Sequence, residues 1–190
     1  MTAPLLEAHD LQIRFGGVIA ADGVSLKIER GRNLAIIGPN GAGKTTFLNI
    51  CTGWIKPSRG KVMFEGKDIT PLQPRRIVKL GVARAFQIPQ LFTEHTALEN
   101  LLISVAARDG LKNPLQNLHD VPEREEMMHL LDMVGCADVA DRHVVELSEG
   151  QRKLIDIAVA LALKPRLLLM DEPTSGVASS EKFAVMDILV

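Results

Sequence analysis

Residues 38–45 run Gly38-Pro39-Asn40-Gly41-Ala42-Gly43-Lys44-Thr45, the spacing G-x-x-x-x-G-K-[ST]. Each residue type has a physical task at its place. The glycines let backbone N–H groups turn inward around a phosphate chain, where a Cβ would block the approach. A helix that starts at Lys44 aims its positive end at the same phosphates. Lys44 adds a mobile point charge, and the Thr45 hydroxyl can ligate Mg²⁺. The competing view is a glycine-rich turn that merely precedes a helix. A buried strand before the loop and a helix after it favour phosphate binding, and the sequence predicts both. Asn33–Ile37 ends in the apolar run Leu34-Ala35-Ile36-Ile37, the pattern of a strand buried on both faces. Lys44–Thr52 follows as a helix stopped by Gly53.

A second group of reactive side chains lies near the end of the chain. Leu167-Leu168-Leu169-Met170 is followed by Asp171-Glu172. An apolar run and then a carboxylate places Asp171 at the C-terminal edge of a strand, where ligands sit in open α/β sheets. There Asp171 can hold Mg²⁺ through water, and Glu172 can polarise an attacking water. Taken alone, the pair reads better as an ordinary strand end with solvated acids; the loop Gly38–Thr45 in the same chain turns the reading toward function. Leu147-Ser148-Glu149-Gly150-Gln151 stands 23 residues before Asp171, counted from Ser148. Ser148 and Gln151 form a capping box for the helix that follows. The same serine hydroxyl and helix N–H groups also make an anion site, and Gly150 lets a ligand approach the backbone.

Positioning these groups requires alternating strands and helices. Leu11–Phe15 and Val24–Ile28 alternate as half-buried strands. Lys61–Asp68 has the pattern of a hairpin turning at Gly66, and Val82–Phe86 that of a short strand. A capping box of Thr96 and Glu99 opens a helix over Thr96–Ala107, and Arg108–Val121 is a polar connection. Glu123–Val134 is a second helix, closed by Gly135. Gln151–Leu163 is a third, ended by Lys164-Pro165 and apolar on most sides, and Leu167–Met170 is a short buried strand. Ser180–Val190 begins another helix, with Phe183, Met186 and Leu189 along one face.

Composition sets the outer limits. The 190 residues are 46% hydrophobic and 24% charged, with 22 basic and 23 acidic side chains and a net charge of −1. This is globular composition with no bulk signal for nucleic acid or a polybasic membrane anchor. Cys51 and Cys136 are 85 positions apart, which argues against a disulfide scaffold or zinc site and for a reducing compartment. The first ten residues lack a signal-peptide pattern, and no apolar run is long enough to cross a bilayer.

The loop Gly38–Thr45, the segment Leu147–Gln151 and the run Leu167–Glu172, in this order with a helical stretch between the first two, resemble the ATP-binding subunit of ABC transporters. The likeness covers essentially the whole chain. It implies an α/β fold: a P-loop NTPase (RecA-like) core with an N-terminal antiparallel β subdomain and an inserted helical subdomain. The chain would be a single nucleotide-binding domain, with the β subdomain and P-loop core over 1–87, the helical subdomain over 88–150 and the Walker B part over 151–190. The implied ligands are ATP and Mg²⁺. Nucleotide contacts fall on Phe15, Gly38, Asn40, Gly41, Gly43, Lys44, Thr45 and Thr46, with Phe15 as the adenine-stacking aromatic. Ser148, Gly150 and Gln151 would meet the nucleotide of a second, head-to-tail subunit. Thr45, Gln87 and Asp171 would be the metal contacts, and Glu172 with Gln87 the catalytic pair. The signature departs from the family pattern at Glu149, where glycine is usual. Ala178 replaces an aspartate in the partner-facing loop Thr174–Ala178.

Finer likeness points to the branched-chain amino acid type of importer, through Phe15-Gly16-Gly17, Thr93–Leu101 and Ser175-Gly176-Val177. That type implies transmembrane permease subunits, a substrate-binding protein acting indirectly, and peripheral attachment at the cytoplasmic face of the inner membrane. All five histidines (His9, His95, His119, His129 and His143) precede Asp171, so none matches the family's switch histidine. The chain stops at Val190 inside an apolar-faced helix with no stop signal, the pattern of a C-terminally truncated cassette. Three alternatives stay open: a non-transport ABC ATPase acting on DNA or ribosomes, a small-molecule P-loop kinase, and a nucleotide-binding fragment without turnover.

Overall fold

The computed structural model describes residues 3–109 and 122–173. The chain divides into two compact units, Met1–Val82 and Ala83–Val190.

The first unit is built on a four-stranded antiparallel sheet in the order β2-β1-β3-β4. Strand β1 (Leu6–Phe15) pairs with β2 (Val18–Ile28) from Leu6↔Ile28 to Phe15↔Val18, and Gly16-Gly17 closes the hairpin. Leu6, Ala8, Leu11 and Ile13 are buried. Strict alternation from Leu6 and Ala8 would turn Leu11 and Ile13 outward. A register shift after Ala8, where Asp10 takes φ 47°, returns both to the core. Strands β3 (Arg59–Phe64) and β4 (Lys67–Asp68) form the expected hairpin. Its two turn residues, Glu65 and Gly66, both have positive φ (49° and 77°), the geometry that matches strand twist in a two-residue loop. Helix α1 (Lys44–Cys51) buries Phe47, Leu48, Ile50 and Cys51, and Gly53 ends its helical path at φ 76°. Helix α2 (Pro74–Lys79) starts on a proline, whose missing N–H costs nothing in a first turn.

One expectation for this unit fails. Asn33–Ile37 is not a strand, and its apolar residues are exposed, Leu34 at 52% and Ile37 at 94%. A strand buried on both faces needs ladder partners and a layer on each side. Among the described residues no strand pairs with 33–37. The apolar run creates a demand for cover without supplying it.

Strand β5 (Val82–Ala85), all but its first residue in the second unit, pairs with β6 (Leu167–Met170). Leu167 and Leu169 are buried while Leu168 and Met170 are half-covered, so β6 is closed on one face rather than two. Helices α3 (Ala97–Asp109), α4 (Arg124–Met133) and α5 (Glu149–Ala162) share one core that includes Leu98, Leu101, Met127, Leu131, Leu154 and Ile155. Both predicted capping boxes are made. Glu99 N–H donates to Thr96 Oγ1 at 3.1 Å, and Thr96 N–H donates to Glu99 Oε2 at 2.9 Å. Helix α5 starts two residues earlier than predicted because Ser148 itself is its N-cap. It ends as Lys164 turns to φ 49° before Pro165. Most of the connection predicted over Arg108–Val121, the loop Thr174–Ala178 and the helix Ser180–Val190 lie outside the described residues; Arg108 and Asp109 close α3.

Candidate active site

In the first unit the loop before α1 is shaped by two glycines in the left-handed region, Gly41 at φ 83° and Gly43 at φ 84°. Gly43 is also tightly packed: a Cβ there would stand 2.1 Å from the Ala20 carbonyl oxygen of β2. No side chain except hydrogen fits, and the loop is thereby pressed against the first hairpin. Lys44 Nζ folds back over the loop and donates to the Gly38 carbonyl at 2.7 Å and to the Pro39 carbonyl at 3.1 Å. The first turn of α1 carries no acidic residue, so nothing there competes with an anion for the helix dipole. Asn40, Gly41 and Thr45 are exposed, and Gly38 and Thr46 are half-buried. Phe15 is 50% exposed at the tip of the β1–β2 hairpin. A core role for this phenylalanine is excluded, and its ring is available to a planar ligand.

The second unit gathers residues distant in sequence. Gln87, just after β5, donates from Nε2 to Glu172 Oε2 at 3.3 Å. Glu172 sits at φ 50°, a strained backbone for a residue with a Cβ. Asp171 is buried at the end of β6, as the pattern of an apolar run followed by a carboxylate predicts, but its side chain is engaged. Arg84 of β5 donates to Asp171 Oδ2 at 3.0 Å, with both side chains almost wholly buried. The Arg84 guanidinium also lies over the Phe86 ring, 4.8 Å from its centroid. A shallow recess opens beside Asp171, lined in part by Phe86, Lys153, Met170 and Pro173.

Ser148 stands exposed at the N-terminus of α5. Its hydroxyl accepts from Gln151 N–H at 3.2 Å, and Gln151 Oε1 accepts from Ser148 N–H at 3.1 Å. Both side chains cap through their oxygens as acceptors, so an anion contact would use the Ser148 O–H and the Gln151 amide N–H groups as donors. Gly150 is buried in the first turn.

The family model described as ABC transporter matches residues 21–175. The chain belongs to the ABC transporter family. By family it is an ATPase of the ABC type. It is 40% identical over 189 residues to the high-affinity branched-chain amino acid transport ATP-binding protein BraF of Pseudomonas aeruginosa, covering 95% of this chain and 74% of that protein. It is 40% identical over 182 residues to the probable branched-chain amino acid transport ATP-binding protein LivG of Methanocaldococcus jannaschii, covering 93% and 71%. Among solved structures it is similar to the ADP conformation of an ATP-binding cassette of an ABC transporter (TM-score 0.81, 36% identity, 98% of this chain and 75% of that one). A dimeric cassette in a post-hydrolysis state with ADP and Pi gives TM-score 0.83 at 27% identity over 97% of this chain and 81% of that one.

The ABC cassette's own geometry fits a nucleotide. The Gly43 cradle excludes any Cβ, and Lys44 is held by carbonyl oxygens that a phosphate chain could replace as its partners. Magnesium fits less directly. Among the described residues no three His, Cys, Asp or Glu side chains cluster. A hydroxyl, a carboxylate and substrate phosphates suit this ion, which keeps several waters. Two charged residues were missed from the sequence, Arg84 and Asp156. Arg84 is a single charge in β5, among Val82, Ala83 and Ala85, and Asp156 is the one charge in the apolar run that follows Lys153 on α5, between Ile155 and Ile157. That interruption was the available signal.

Proposed function

We propose that this chain is the ATP-hydrolysing subunit of an ABC importer for branched-chain or related amino acids. The contact between Gln87 and Glu172 carries the hydrolytic part, because it unites the two residues named for water activation across 85 positions of sequence. The amino-acid part rests on the likeness to BraF and LivG proteins. In this reading Gly38, Asn40, Gly41, Gly43, Lys44, Thr45 and Thr46 surround the phosphates, and Phe15 stacks on the base. Glu172 holds the attacking water and takes up its proton, while Gln87 orients Glu172. Thr45, Gln87 and Asp171 would hold Mg²⁺, which would supply charge neutralisation on the phosphates. Arg84 engages Oδ2 of Asp171, so Asp171 would serve through Oδ1 or by sharing Oδ2.

Ser148, Gly150 and Gln151 meet the nucleotide of a second, head-to-tail cassette, so Lys44 and Ser148 of one chain serve two different ATP molecules. The chain folds as one nucleotide-binding domain with its helical insert over 88–150. It works beside transmembrane permease subunits and, through them, a substrate-binding protein. No helix among the described residues is long and apolar enough to cross a membrane, and the proposed attachment to the cytoplasmic face is peripheral. Lys44→Ala should abolish tight ATP binding, whereas Glu172→Gln should bind ATP, stop turnover and accumulate a dimer. Normal turnover by Glu172→Gln would remove Glu172 from the chemistry. Co-purification with a permease that takes up leucine in an ATP-dependent way supports the transport reading. Activation by nucleic acid instead would overturn it.

A further inference from the structure

We propose that Asp156 is a positioning residue: from helix α5 it clamps the backbone on both sides of Gln87, at Phe86 and Gln90, and so holds the Gln87 side chain at Glu172. The inference rests on the reading of Gln87 and Glu172 as hydrolytic residues.

The geometry is specific. Asp156 Oδ2 accepts from Phe86 N–H at 2.7 Å, and Oδ1 accepts from Gln90 N–H at 3.2 Å. One carboxylate thus uses both oxygens on two amides that bracket Gln87, Ile88 and Pro89. The bracketed segment also has a bond from Gln90 Nε2 to the Ile88 carbonyl at 3.1 Å and the Gln87–Glu172 contact, but it is poorly packed. Gln87 is exposed, Ile88 is 74% exposed, and Pro89 has no N–H to donate. Asp156 itself is 5% exposed, on a helix packed into the core of its unit. A fixed carboxylate on a rigid helix is a suitable anchor for an exposed loop. A charge in this position is costly, and burial pushes the Asp156 carboxyl up to about 6 against the two backbone N–H bonds and the nearby Arg84 that favour its ionised form. Lys153, one turn earlier on α5, is buried as well, and Arg84 is already paired with Asp171. A neutral residue would satisfy the helix packing alone. Two amides to be accepted at fixed positions require two acceptor oxygens, which aspartate has and alanine lacks.

The test compares Asp156→Ala, Asp156→Asn, Gln87→Ala and the double variant Asp156→Ala with Gln87→Ala in the full chain. Three readouts apply: amide exchange at Phe86 and Gln90, the ¹⁵N side-chain amide resonances of Gln87, and kcat and KM for MgATP. Losing a charge-assisted hydrogen bond should speed exchange at Phe86 and Gln90 by about tenfold to a hundredfold. In Asp156→Ala the Gln87 side-chain resonances should shift toward those of a free amide, and kcat should fall by about tenfold with KM changed by less than about twofold. Adding Asp156→Ala to Gln87→Ala should cost less than about a further twofold, because the residue to be positioned is already gone. Asp156→Asn keeps one acceptor and should fall between, and it decides through the same readouts if the alanine variant does not fold. Unmoved Gln87 resonances would overturn the proposal, as would equal losses of kcat in both backgrounds. If Gln87→Ala turns over normally, the catalytic reading of Gln87 falls, while the resonance arm still judges the clamp.

Discussion

Gly41 and Gly43 form a matched pair in which strain and crowding separate. Both lie in the left-handed region, at φ 83° and φ 84°, so alanine at either position meets the same backbone penalty. That penalty is about 1–2 kcal/mol, partly offset by the smaller unfolded-state entropy of alanine. At Gly41 a Cβ meets nothing within 4 Å. At Gly43 it falls 2.1 Å from the Ala20 carbonyl oxygen and 3.3 Å from the carbon of the same group. Both atoms are backbone in a paired strand, so no rotamer change relieves the clash and the loop must move by about 1 Å. Overpacking of this kind costs about 1–3 kcal/mol on top of the strain. Gly41→Ala should therefore destabilise by about 1 kcal/mol and Gly43→Ala by about 3 kcal/mol. The measurement is urea unfolding followed through Trp54, the chain's single tryptophan, which lies just beyond α1 in the same unit. The midpoints should separate at constant slope. Equal midpoints for the two variants would mean that the loop is not pressed against β2 in solution, and the cradle argument would fail with it.

Other perturbations test the second unit. Arg84→Met leaves Asp171 buried without its guanidinium and should cost about 3–5 kcal/mol in thermal or urea unfolding; a loss below about 1 kcal/mol would show that the carboxylate is solvated. Asn100→Ala removes the side chain that accepts from Phe92 N–H and donates to the Phe92 and Thr96 carbonyls, leaving the N–H without that acceptor. The expected cost is about 2–4 kcal/mol by calorimetry, and a neutral outcome would show that the Asn100 bonds to Phe92 do not hold that segment. Asp156 sets a pH dependence of stability. Its folded carboxyl titrates near 6 and its unfolded one near 3.8, so between these values the native state binds more protons. Its contribution is full below about pH 4 and is lost as pH rises to about 6, a change of about 3 kcal/mol. Relative to wild type, Asp156→Asn should remove this downward slope in unfolding free energy measured from pH 4 to 7. Parallel pH profiles for the two proteins would contradict the burial argument.

Much of the candidate site was legible because its rules are local. The spacing of Gly38–Thr45 marked the loop and helix start, the Thr96–Glu99 and Ser148–Gln151 boxes marked two helix N-termini, and Gly66 marked a hairpin. In each case the interacting groups lie within a few residues of one another, so the backbone conformation follows from nearest-neighbour sterics and short hydrogen bonds. The apolar run before the loop was misread for the opposite reason. Leu34–Ile37 has the composition of a central strand, but burial is a property of what packs against a segment.

The contacts that give this site its geometry join residues that no window of sequence holds together. Gly43 meets Ala20, Arg84 meets Asp171 across 87 positions, Gln87 meets Glu172 across 85, and Asp156 reaches Phe86 and Gln90 across 70 and 66. The sequence by itself determined the two capping boxes, the start of α1 and the turn at Gly66, since spacing along a helix or turn is set within a few bonds. Only tertiary structure decided which carboxylate faces a cation, which faces a glutamine and which holds a loop, because those assignments depend on strands and helices meeting in space.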